Sequence, residues 1–391
     1  MKKFALISHV LPPNWSGQSI ILGRLLRDVD PESYVLISSS KIDNKHKSTE
    51  NELLGRYYFL TSFFANTNFS THHGFRILLV PFELIIRTIQ MIRIIRLEHC
   101  NCIVACTGDI LDIPCAYFAG LLTNRKLIPY YFDDYVFQWS NPLARNFARI
   151  FEKIIFYRTS QVIVPNEFMK ETIDKRHNIK STIIRNSMPI EIDKVESNKN
   201  SREDKKLIVF TGAIYQTNIT ALLTLFVAIE YIKDYKVEIN IFTAQSVEKI
   251  LRKQIEGDKI KIHSFASSAE IIIEQKSADI LFIPFSFDSV LSEVIRTSSP
   301  GKLADYLESG VPILAFVPPN TYVAWFLKKY DCGYVVDINN PLELAKGIIE
   351  LFAKEELRNK LIKNAMSIAT SEFNTKKAYI TFIGLLEEAS K

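Results

Sequence analysis

Residues 296–314 read "RTSSPGKLADYLESGVPIL". Ser299 and Pro300 have the N-cap and first-turn preferences of a helix start, Gly310 those of a stop, and "VPIL" those of a buried strand. The anomaly is the charge. Arg296 and Lys302 flank the positive end of the expected helix, where the macrodipole disfavours cations. A bound diphosphate resolves the conflict, because the anion meets free backbone N–H groups and both cations together. Asp305 lies three residues after Lys302 on the same helix face, where its carboxylate can accept from the two hydroxyls of a ribose. The competing reading is a surface Lys302–Asp305 pair worth about 0.2–0.5 kcal/mol.

Just upstream, "DILFIPF" (279–285) is a compact apolar run, so the quoted loop leaves the carboxyl edge of a sheet. The same rhythm fills the chain. "FALISHV" (4–10), "SYVLISSS" (33–40), "CIVACTGD" (102–109), "KLIPYYFDD" (126–134), "QVIVPN" (161–166) and "STIIRN" (181–186) alternate with helical stretches. A polar, charged passage at 190–206 interrupts the rhythm, which restarts with "KLIVFTG" (206–212). Near-continuous apolar strands alternating with helices indicate parallel sheets covered on both faces. The expected fold is therefore α/β, with two tandem, doubly wound, Rossmann-like parallel-sheet domains. In such sheets ligands collect beyond the carboxyl ends of the strands, so two facing halves would hold them across a cleft.

At 391 residues, 47% hydrophobic and 23% charged, the chain is globular and long enough for two cores. A net charge of +5 is too mild for a nucleic-acid partner and suits an anionic small molecule or membrane face. The five cysteines form no C-x-x-C pair, which argues against zinc and for a reducing compartment. "MKKFALISHVLPPNW" mimics a secretory leader, but its apolar run is short and broken by Ser8 and His9, so a first strand is expected. Residues 75–100 are strongly apolar yet carry Glu83, Arg87, Arg93 and Arg96. Each arginine at a bilayer centre costs about 2.5–3.5 kcal/mol, so this segment reads as a sheet-flanking helix with its arginines at the edge, or as interfacial membrane contact.

Several signatures are absent: G-x-G-x-x-G after the first strand, G-x-x-x-x-G-K-[ST], H-E-x-x-H and G-x-S-x-G. Nothing demands a metal, and Asp28 and Asp30 read as solvated surface. Glycine is scarce, so Gly17 and Gly212, each at the first turn of its half, stand for either turn geometry or close approach to a phosphate. Asp133 and Asp134 end a strand at the proper edge and can orient or deprotonate a hydroxyl, as can Asp109 in "CTGD". Helix capping is the alternative for each. His9 reads as a local hydrogen-bonding residue.

Two Rossmann-like halves, with S-x-P-x-K-x-x-[DE]-Y-x-x-x-G-x-P in the second, resemble the nucleotide-sugar glycosyltransferases of the GT-B fold. The retaining branch called family 4 is the nearest. "PPNWSGQ" is similar to the family's first glycine loop, "IIRNSMPIEID" to its interdomain passage, and "IVFTGAIYQTN" to the opening of its nucleotide half. The resemblance implies an N-terminal acceptor-binding domain at 1–187, a linker at 188–205 and a C-terminal nucleotide-sugar domain at 206–370. A C-terminal helix at 371–391 can then pack back on the first domain. It also implies a metal-independent enzyme with no cofactor beyond its nucleotide-sugar substrate. Such an enzyme would glycosylate a glycan or lipid-linked acceptor for surface polysaccharide or glycoconjugate synthesis. Its place would be the cytoplasm or the inner membrane face. Arg296, Ser299 and Lys302 would hold the diphosphate, with Gly17 and Gly212 close by, and Asp305 matches the second of the family's paired acids. The first falls at Thr297, and the family's basic pair after the second-half glycine is missing, as is its first-half histidine. A non-catalytic GT-B binding or assembly protein, or a nucleotide-sugar epimerase, is the alternative.

Overall fold

The computed structural model describes residues 2–14, 16–41, 52–61, 79–159, 161–187, 205–243, 259–263 and 268–391. The chain forms two compact units, Met1–Ser187 with Thr375–Lys391, and Met188–Asn374. The polar passage expected as a linker lies almost wholly outside the described residues.

The first unit is built on seven strands. These are β1 (Phe4–Ile7), β2 (Tyr34–Ser38), β3 (Arg56–Phe59), β4 (Cys102–Cys106), β5 (Lys126–Tyr130), β6 (Ile163–Val164) and β7 (Thr182–Ile183). They lie in the order β3-β2-β1-β4-β5-β6-β7, all parallel. The order reverses between β1 and β4, the switch point where ligands gather in such sheets. One sheet face is covered by α2 (Val80–Leu97), α3 (Asp112–Thr123) and α4 (Pro142–Phe156), whose inward residues join Ala5, Ile7, Ile103 and Ala105 in one core. The other carries α1 (Gly17–Leu26) and the C-terminal helix α13 (Thr375–Ala389), packed on Phe4, Leu6, Val104 and Cys106. Strands β1 and β4 are buried on both faces, which is why they read as unbroken apolar runs. Helix α5 (Glu167–His177) precedes β7.

The segment at 80–97 is one helix, and its arginines divide. Arg93 and Arg96 are exposed, as an edge position requires. Arg87 is instead fully buried, because Glu83, Asp109 at 3.0 Å and Asp112 at 3.3 Å surround its guanidinium. No described helix is long and apolar enough to cross a membrane. All five cysteines are buried and free.

The second unit has β8 (Lys205–Thr211), β9 (Lys236–Phe242), β10 (Ile260–His263), β11 (Ile280–Pro284), β12 (Ile313–Phe316) and β13 (Tyr334–Val336). Their order, β10-β9-β8-β11-β12-β13, is again all parallel, with its reversal between β8 and β11. Helices α6 (Ile219–Ile229), α7 (Ser268–Ser277), α8 (Ser292–Thr297), α9 (Lys302–Glu308), α10 (Tyr322–Lys329), α11 (Pro341–Ala353) and α12 (Glu355–Glu372) complete it. The quoted stretch forms α8's end, α9 and β12. Helix α9 starts two residues later than expected. Gly301, not Ser299, is its N-cap, because the Pro300 carbonyl accepts from the Leu303 N–H at 2.9 Å in a tighter turn. Gly310 provides the stop in the left-handed region at φ +72°.

Candidate functional site

At the switch point of the second sheet, β8 ends in Phe210 and Thr211. Gly212 follows at φ +129°, its N–H donating to the Phe242 carbonyl at 2.8 Å. Helix α9 is fastened to this strand end by Tyr306. The Tyr306 hydroxyl accepts from the Thr211 N–H at 3.0 Å and sits 3.2 Å from Thr211 Oγ1, which also receives Gln275 Nε2 at 3.0 Å. Lys302, four residues earlier on the same helix face, is thereby carried onto the Phe210 ring, its Nζ 3.7 Å from the centroid. A Cβ on Gly212 would lie 2.8 Å from that nitrogen, so only glycine lets the ammonium approach the strand end. Lys302 makes no ion pair among the described residues. The residue surface is only half-buried, yet desolvation pulls the ammonium down to about 7. Its contact is the aromatic face and not Asp305, so the surface-pair reading of the sequence does not describe it.

The other second-unit candidates are placed differently. Arg296 lies in the last turn of α8, its Nε 3.2 Å from Glu293. Ser299 is buried in the turn between α8 and α9, and Asp305 is half-buried in the first turn of α9. Thr297 is buried, its hydroxyl donating to the Glu293 carbonyl at 3.1 Å.

In the first unit, Gly108 follows β4 at φ +136°. A Cβ there would stand 2.6 Å from His9 Nδ1 and 3.0 Å from Gln18 Oε1, so bare backbone lets these side chains converge beside the β1–β4 switch point. Gln18 Nε2 donates to Ser8 Oγ at 2.9 Å, and burial pulls His9 below its ordinary value. Gly17 opens α1 behind the N-cap Ser16, and a Cβ on it would meet nothing within 4 Å. Neither a left-handed backbone nor crowding by a neighbour requires glycine at this position.

The three aspartates separate by their partners. Asp109 accepts from the Leu111 N–H at 2.7 Å and from Arg87 at 3.0 Å. Asp134 binds Arg176 at 2.6 Å and caps the Val136 and Phe137 N–H groups at 3.0 and 3.2 Å. Both carboxylates are thus engaged in holding the backbone. Asp133 is different: its carboxylate has no hydrogen-bond or ion-pair partner among the described residues. Burial, then the neighbouring Asp134 charge, push it up to about 6. Among the described residues no group of three or more His, Cys, Asp or Glu side chains can hold a metal ion.

Residues 191–367 match the family model described as Glycosyl transferases group 1. The match lies in the second half of the chain. No curated protein matches the sequence. Solved structures extend the likeness to the whole chain, at identities that speak for the fold alone. A glycosyltransferase from Rickettsia africae is 16% identical, with TM-score 0.70, over 100% of this chain and 99% of that one. The sucrose-phosphate synthase of Thermosynechococcus elongatus is 14% identical, TM-score 0.73, over 99% of each. Anabaena HepE, solved with UDP-glucose, is 13% identical, TM-score 0.73, over 99% and 100%. With its two all-parallel α/β units the chain has the GT-B fold, and the residues that match the family model include the β8 end and all of α9.

The fastening groups of this site, Tyr306, Gln275 and Phe210, were not singled out in the sequence. Tyr306 stands inside the recognised string, next to Asp305. Phe210 and Gln275 carry no sequence signal beyond core and helix patterning.

Proposed function

We propose that the protein transfers a sugar from a nucleotide-sugar donor to a glycan or lipid-linked acceptor, in the manner of the family 4 GT-B enzymes. The observation that carries this reading is Lys302: a desolvated ammonium over an aromatic ring, beside bare backbone at a sheet switch point, among the residues that match the group 1 glycosyltransferase model. A departing nucleoside diphosphate is the partner that suits it, since charge-assisted contacts to a leaving diphosphate lower the barrier to transfer. Gly212 gives the diphosphate access to backbone N–H groups, Asp305 and Arg296 are assigned to the ribose and the phosphates, and Ser299 shapes the turn that carries Lys302. Gly17 gives close backbone approach in the first unit. Asp133 is the group for orienting or deprotonating the acceptor hydroxyl, being near neutral in pKa and unengaged. The reaction is assigned no cofactor, and the diphosphate charge is met by these side chains. The role belongs to surface polysaccharide or glycoconjugate synthesis in the cytoplasm, with α2 resting against the inner membrane face.

A thermal-shift screen of UDP, GDP, ADP and CMP, followed by donor-consumption assays with acceptors supplied, tests the reading. One nucleoside diphosphate is expected to raise the melting point, and its sugar derivative to be consumed. Binding without consumption of any sugar nucleotide would leave a non-catalytic binding protein.

A further inference from the structure

The outer face of α4 departs from an ordinary solvated surface. Ala144, Ala148, Glu152 and Ile155 of this helix turn into the core. Leu143, Ile150, Ile154 and Tyr157 stand outward at 58%, 60%, 41% and 89% exposure. Their spacing of seven, four and three residues places them on one stripe. Arg149 and Lys153 are exposed beside it, as is Arg158 just past the helix end. The helix's single acid, Glu152, is turned inward and held by Tyr131, Arg176 and His177 at 3.0, 3.1 and 2.9 Å. The same division holds along the run of chain that contains it, while the neighbouring α5 exposes one acid, Glu171, paired with Lys175. From residue 80 to residue 158, a run described without a break, no acidic side chain is exposed, whereas arginines and lysines are.

We infer that the outward face of α4, continued by Tyr157 and Arg158, docks on an anionic lipid bilayer. Leu143, Ile150, Ile154 and Tyr157 enter the boundary between headgroups and acyl chains, and Arg149, Lys153 and Arg158 meet lipid phosphates. An amphipathic helix lying in the interface combines these two features. Charge decides against the other occupant of such a stripe. A second copy of the chain in a two-fold contact would set these cations against themselves. The surface lies on a different helix from the α2 contact and does not depend on which sugar is transferred.

Co-sedimentation with vesicles is the test. The protein is expected to partition onto phosphatidylcholine vesicles containing phosphatidylglycerol, not onto phosphatidylcholine alone, and to be released by raised salt. Arg149→Gln with Lys153→Gln should lower the partition coefficient about fivefold per cation. Ile150→Ser with Ile154→Ser should lower it about tenfold or more, since both remove or weaken apolar insertion. All four positions are solvent-exposed, so melting temperature and nucleoside diphosphate affinity should stay at their wild-type values. Equal binding to both vesicle types, or unchanged partition in both variants, overturns the inference. So does a concentration-dependent dimer in lipid-free solution that these variants abolish.

Discussion

Lys302 is a residue whose placement opposes the stability of its own fold. Its value falls from the usual 10.5 to about 7 on folding, so the unfolded chain binds a proton that the native site resists. The resulting penalty is absent above the unfolded value, grows as pH falls from 10.5 towards 7, and is complete below it. Lys302→Met is therefore expected to stabilise the protein by about 0.5–2 kcal/mol near neutral pH, and less as pH rises. The same change should weaken nucleoside diphosphate binding by about 1.5–3 kcal/mol, the worth of a charge-assisted hydrogen bond. Denaturant unfolding and titration calorimetry read the two effects. A variant less stable at every pH, with unchanged affinity, returns Lys302 to a packing role. Binding should also draw a proton onto the wild-type protein above pH 7, seen as buffer-dependent binding enthalpy that Lys302→Met removes. Asp133 carries the complementary dependence. With its carboxyl pushed up to about 6, the base form is lost as pH falls through that value, so kcat should drop on the acid side. Asp133→Asn should flatten this limb and lower kcat about 10²–10⁴-fold. A pH–rate profile unchanged by the substitution would remove it from the chemistry.

The elements show how these residues are held, and why part of the site was legible in the sequence and part was not. The passage at 296–314 announced a helix between a loop and a strand, because Pro, Gly and apolar runs act locally. What fixes Lys302 over Phe210 is a contact between residues 95 apart, the Tyr306 hydroxyl on the Thr211 N–H at 3.0 Å. No periodicity reports such a bond. Tyr306→Phe leaves that buried N–H unpaired, and should cost about 1–3 kcal/mol of stability. It should also weaken nucleoside diphosphate binding without removing any group that touches the ligand. Intact binding in a destabilised variant would show that α9 keeps its position through packing alone. The same limit explains Arg87. Spacing within α2 could show an arginine near an apolar face, but Asp109 and Asp112, which draw it inside, come 22 and 25 residues later. Of the three aspartates at strand ends, sequence could rank none, since Arg87 and Arg176 decide which are engaged.

At the scale of the whole molecule, the first unit is closed by a helix, α13, that lies beyond the second unit in the sequence. The chain builds a seven-stranded sheet, forms the entire second unit, and returns with α13 to the first. Phe382 meets Phe4 of β1 edge-on at 5.7 Å, and Leu386 is buried in the same core. At the end of the chain Lys2 Nζ donates to the Ser390 carbonyl at 2.6 Å. The alternating strand and helix pattern foretold two halves but could not by itself assign the final helix, which is amphipathic and would suit either. Because the residues proposed to hold the diphosphate belong to the second unit, damage to this closure should separate from damage to binding. Phe382→Ala is expected to lower the unfolding free energy of the first unit by about 3–5 kcal/mol, the range for an aromatic removed from a core. Two domains need not unfold as one, so scanning calorimetry should show one transition moved down and the other retained. Added nucleoside diphosphate should raise the retained transition in this variant by as much as in the wild type. If Phe382→Ala instead abolishes that rise, the two units share a single cooperative core, and the site cannot be assigned to the second alone.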